Sequence, residues 1–131
     1  MLSPDITEFV IAYLTPSLTN VSTLMPPNPP LPYYVVKRIT GTQDWVSDYP
    51  VVSIHAFDST DALAAQAARA MHALMNPWVL TPKVSVLVSG VECSIDSLEI
   101  QEAPAWQDYG DKNLERYCAR YKITTRVNLA A

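Results

Sequence analysis

The chain has 131 residues, 49% hydrophobic and 17% charged, which fits one folded domain with a real core and excludes a disordered segment. A formal net charge of −4 argues against a nucleic-acid coat built on bulk positive charge. Three glycines leave no phosphate-cradling loop, and no apolar run approaches the ~20 residues of a membrane span.

Cys93 and Cys118 fall in predicted strands and are too few for a disulfide framework, so both are expected as small buried thiols. No basic segment precedes an apolar one at the start, so no signal peptide is expected. A reducing cytoplasm is the expected place of synthesis.

In chain order, Ser3-Pro4-Asp5 predicts a helix start: a capping hydroxyl, a proline that needs no N–H partner, and an acid against the dipole. Ile6, Phe9, Val10, Tyr13 and Leu14 then form one apolar stripe, and Pro16 stops the helix. Residues 25–32 hold five of the 11 prolines, Pro29 and Pro30 among them. Such a stretch is neither helix nor central strand; it is a stiff surface loop that reaches a neighbouring subunit, or a plain linker.

Residues 33–40 read as a strand, with Tyr33, Val35 and Ile39 on one face and Gly41 ending it in a turn toward Trp45. Residues 49–57 carry the β-branched and aromatic side chains of a buried strand. Asp58-Ser59-Thr60-Asp61 then caps an alanine-rich helix that Asn76-Pro77 ends. At ~100° per residue, Leu63, Ala67, Ala70 and Leu74 fall on its apolar arc, with Met71 on the shoulder and Arg69 and His72 off it.

Residues 83–87 and 91–95 predict a hairpin around Ser89-Gly90. Residues 97–102 stay extended, and 103–112 read as a polar loop holding Pro104, Trp106, Tyr109 and Gly110. From Arg116 to Val127 the period is two. Tyr117, Ala119, Tyr121, Ile123 and Val127 point inward, and Arg116, Cys118, Arg120, Lys122, Thr124 and Arg126 form a wet face. Glu99 or Glu102 is expected across from Arg120 or Lys122, in exposed pairs that give only about 0–1 kcal/mol each.

The residues assemble no catalytic pattern. Ser53 and His55 share a strand face near Asp58, but no nucleophile elbow or oxyanion hole accompanies them. His55 is expected in the core or at an interface with a satisfied hydrogen bond. His55, His72, Cys93 and Cys118 show none of the short spacings of a structural zinc site. No enzyme activity, metal or cofactor is therefore expected.

Three segments, with their order and spacing, carry a resemblance: residues 49–57, residues 67–75, and residues 104–117 leading into the last strand. Together they cover most of residues 49–127. In them the chain resembles the tail terminator proteins of long-tailed, non-contractile bacteriophages, especially those infecting actinobacteria. The proline-rich stretch lies outside the likeness.

The resemblance implies an α+β fold, a mostly antiparallel sheet with two helices packed against it, as a single domain over residues 1–131. It implies a homo-oligomer, a hexameric ring, in the tail and neck of a virion. That ring caps the head-proximal end of the tail tube and helps join tail to head, with the tail tube protein and a head–tail connector or stopper protein as partners. DNA only passes through the lumen, without sequence-specific binding, and no membrane is involved. Candidate interface residues are Trp106, Tyr109, Asp111 and Arg116, with Pro29 and Pro30 on the arm. The alternatives are another neck component, such as a head-completion or stopper protein, and a small bacterial ligand-binding or regulatory α+β domain.

Overall fold

The fold was obtained as a computed structural model, which describes residues 5–43, 47–79, 85–88, 90–110 and 113–126. Its elements are α1 (Ile6–Leu14), β1 (Val21–Ser22), β2 (Tyr33–Gln43), β3 (Ser47–Asp58), α2 (Asp61–Met75), β4 (Ser85–Val88), β5 (Val91–Ser94), β6 (Ser97–Gln107) and β7 (Glu115–Arg126). A short 3-10 turn, Asn76–Val79, follows α2. The main sheet has the order β1-β2-β3-β7-β6 and is antiparallel except where β1 joins β2; β4 and β5 pair separately. The fold is α+β, with two helices on one face of a mostly antiparallel sheet.

β3 is the central strand, and its burial explains its sequence. Nearly every residue from Pro50 to Asp58 is buried, because β2 and β7 flank it and each face is covered by side chains. One face carries the main core, where Val36, Val52, Ile54, Ala119, Tyr121 and Ile123 meet Phe9, Val10 and Leu14 of α1 and Met71 and Met75 of α2. The other face holds a smaller cluster of Tyr33, Val35 and Phe57 against Met25.

The helix starts are set by side-chain caps. The α1 cap is Asp5, whose carboxylate accepts from the N–H groups of Thr7 and Glu8; Ser3 and Pro4 lie outside the described residues. Thr60 caps α2 through the Leu63 N–H, with Asp61 in the first turn against the positive helix end.

The buried arc of α2 differs from the expected one. Ala64, Ala67, Ala68, Met71 and Met75 face the sheet, while Leu63 is 45% exposed and Ala70 is exposed. The cause is volume. Tyr34 stands up from the sheet beneath Ala67, where a small residue is needed, while Tyr121 rises beneath Met71 and His72 one turn further on.

Both tyrosines also bond α2. The Tyr34 hydroxyl donates to the Ala67 carbonyl, and Tyr121 Oη lies 2.6 Å from His72 Nδ1. Tyr13 of α1 donates to the Leu74 carbonyl, tying the helices to each other. His72, expected off the apolar arc, is half-buried because Tyr121 reaches it.

Two strand boundaries also differ. β2 runs through Gly41 to Gln43, with a bulge at Ile39 that turns this side chain out. β6 continues to Gln107, so Trp106 stands on a strand and the loop is confined to the residues between β6 and β7. The two-residue β1 has no sequence signature of its own. Trp45, Ser89 and Val127 lie outside the described residues.

Candidate functional site

The helix-free face of the sheet gathers most of the polar chemistry. Cross-strand register sets its rows: Tyr33–Phe57–Arg116–Gln107, then Val35–His55–Cys118–Ala105, then Lys37–Ser53–Arg120–Glu102. Lys122 and Glu99 form the next pair beyond, so both expected acid–base registrations are present. Arg120 Nε lies 3.7 Å from Glu102, an ion pair too long for a hydrogen bond.

This face is not the wet surface that alternation predicts. Cys118 is 3% exposed and Ser53 2%, while Arg116, Arg120 and Lys122 are half-buried. Long side chains lie over the sheet: Lys122 reaches over the Tyr49 ring, and the Arg116 guanidinium sits 5.2 Å from the centre of the Tyr109 ring. Cys93, by contrast, belongs to the helix-side core, so the two buried thiols stand on opposite faces of the sheet.

At one end of this face lies a shallow cavity of about 280 Å³. Leu24, Met25, Val35 and Phe57 give it an apolar floor, and Thr23, Lys37, His55, Tyr109 and Arg116 line the rest. Tyr109 packs edge-on against Phe57 at 4.8 Å, and Arg116 donates to the Asp108 carbonyl at 2.6 Å, which fixes the β6–β7 loop against the cavity.

His55 Nε2 sits 3.2 Å from Ser53 Oγ, but its Nδ1 is buried without a partner, so the expected satisfied histidine is only half satisfied. Burial, followed by the nearby charges of Arg116, Arg120 and Lys37, lowers its pKa from 6.5 to about 4. Asp58 is on the opposite face and bonds Ser59, so Ser53, His55 and Asp58 do not line up as a triad. Among the described residues no group of His, Cys, Asp and Glu converges as a metal site. No described helix is long and apolar enough to cross a membrane.

The lowered His55 pKa carries a testable consequence. Between pH 6.5 and about 4 the unfolded chain binds a proton that the folded chain refuses. His55 therefore contributes stability in full above pH 6.5, and this is lost progressively as pH falls to about 4. Thermal melts at several pH values through this window should show a smaller drop for His55→Gln than for the natural chain. Equal drops would place the acid sensitivity elsewhere.

The predicted interface residues divide. Tyr109 and Arg116 meet at the cavity. Trp106 is 53% exposed on the other face of the sheet at the same end, opposite Tyr117, with its indole N–H donating to Glu115 at 2.7 Å. Pro29 is half-buried and Pro30 exposed. The Asn20 side chain donates to the Pro32 carbonyl at 3.0 Å and the Pro30 carbonyl at 3.5 Å, so this segment is held along its own subunit. Leu24, just before it, and Met25, its first residue, line the cavity, while Pro29 and Pro30 do not. Asp111 lies outside the described residues.

Sequence reasoning missed Leu24, 68% exposed, and Met25 as parts of the site. Only their position before the prolines marked them.

The architecture defines a small α+β domain whose polar and exposed aromatic groups gather at one end of the sheet. Neither a family model nor a curated protein matches the chain. Among solved structures, its fold is similar to that of a chain in the virion of a native gene transfer agent particle. That likeness has a TM-score of 0.54 at 14% identity and covers 94% of this chain and 86% of the other.

Proposed function

We propose that this protein is a structural component of a phage-like virion, acting as a tail terminator. Six copies close into a ring on the head-proximal end of the tail tube and end its polymerisation. The mechanism is geometric: the bound ring occupies the surface on which the next tube subunit would add, and no covalent step or cofactor takes part. The ring then offers its far side to a head–tail connector or stopper protein, and DNA passes through its lumen.

The observation that carries this reading is a fold similar to that of a virion chain over nearly the whole length of both chains. The exposed aromatic groups agree with it. Trp106 and Tyr109 are 53% and 40% exposed at one end of the sheet, as contact residues of an assembly would be.

The double variant Trp106→Ala, Tyr109→Ala tests the contact. Its monomer should melt within a few degrees of the natural chain, because neither side chain is buried in the main core. In a complementation assay it should lose tail capping by tenfold or more, on the scale of losing two aromatic anchors. Normal capping would remove this end of the sheet from the interface.

A further inference from the structure

We propose that the helix-free face of the sheet binds carboxylate-bearing surface of a second copy of this chain, so that copies join front to back. The proposal rests on the ring described above and names the contact that builds it.

Three features of this face point to an acidic partner. Among the described residues it carries four cations, Lys37, Arg116, Arg120 and Lys122, against two acids, Glu99 and Glu102. The chain as a whole is at −4, and off this face the described acids outnumber the described cations, Arg38 and Arg69. A second copy therefore supplies the complementary charge.

Buried polar atoms on this face also lack hydrogen-bond partners: His55 Nδ1, Arg116 Nε and Arg120 Nε, the last with only a long 3.7 Å ion pair to Glu102. Two of these are obligate donors, and a buried donor left unsatisfied costs about 1–3 kcal/mol. An incoming carboxylate accepts from the outer N–H groups of the partly exposed Arg120 guanidinium and draws it outward. The apolar floor of the 280 Å³ cavity beside them fits a protein surface with apolar groups near its acids better than it fits a phosphate backbone.

The sheet edges are poor alternatives. β6 carries two register breaks, Pro104 and the two acids; at the other edge the two-residue β1 covers β2 at Tyr34 and Val35, and the rest of β2 carries the Ile39 bulge, and each of these features discourages strand addition. A face meeting a different surface is heterologous, which is the contact type that closes rings.

The test is sedimentation velocity on the full chain over a range of protein and salt concentrations. The natural chain should self-associate, more weakly in high salt. Lys37→Glu, Arg120→Glu should weaken self-association at least about tenfold while circular dichroism shows the chain still folded, and Lys37→Glu alone, at an exposed site and with an unchanged thermal midpoint, should weaken it in the same direction. Mixed with the natural chain, the double variant should still form a hetero-dimer, because it keeps the acidic surface that enters a natural face.

A natural chain that stays monomeric at the highest concentration reached overturns the proposal. So do self-association that the variants leave unchanged and a double variant that fails to join the natural chain. Scoring tail capping with the same variants separates the two proposals. Variants that associate normally and cap tails overturn the face contact alone, whereas loss of association with normal tails overturns the terminator reading alone.

Discussion

Replacing Tyr121 by alanine is expected to cost about 3–5 kcal/mol of folding stability, the range for removing a fully buried aromatic side chain. Tyr121 is 0% exposed at the centre of β7, in the cluster that joins the sheet to both helices. Its hydroxyl meets His72 Nδ1 at 2.6 Å and Met71 Sδ at 3.4 Å, so the same side chain fills the core and ties α2 down. Burial, the larger effect, and the neighbouring Cys118 raise its pKa, keeping the phenol neutral and able to donate. Tyr121→Phe keeps the ring and should lose only about 1 kcal/mol with the hydrogen bond. Denaturant midpoints of the two variants separate the effects. Equal losses would make the hydroxyl, rather than the packing, the dominant contribution.

Gly41→Ala should be the most damaging exposed substitution, at about 3 kcal/mol or more. Gly41 has φ +144°, a conformation that costs an L residue about 1–3 kcal/mol. A Cβ there would also stand 2.6 Å from the Tyr49 carbonyl oxygen and 2.7 Å from Pro50 Cα. Both are backbone atoms of β3, so relief requires the strands to separate beside the Ile39 bulge. A urea midpoint below the natural one by the equivalent of that energy is expected. An unchanged midpoint would show that this strand pair yields freely.

Much of the frame was legible because it rests on local periodicity. The stripe of α1, the cap and stop of α2, the buried 49–57 strand and the alternation of β7 all follow from residue spacing. What failed required knowledge of neighbours. Hydrophobicity alone favours Leu63 for the inner face of α2, but that face is made of Ala64, Ala67, Ala68, Met71 and Met75. Trp106 sits in a stretch with proline and acids that reads as a loop, yet pairing with β7 holds it extended to Gln107. The β7 positions expected to be wet include Cys118, which is 3% exposed and has His55 of β3 at 3.9 Å.

The candidate site was half visible for the same reason. Tyr109 and Arg116 stood out as aromatic and basic residues near a turn, and the structure stacks them. Their meeting with His55, Lys37 and the Leu24–Met25 segment depends on the sheet order β2-β3-β7, which no local pattern encodes.

The central claim, that this chain ends tail-tube growth, is tested most directly by electron microscopy of particles assembled without it. The account predicts tails of uncontrolled length that are not joined to heads. Free tails of normal length beside heads that leak DNA would contradict it and assign the protein to the head side of the joint instead.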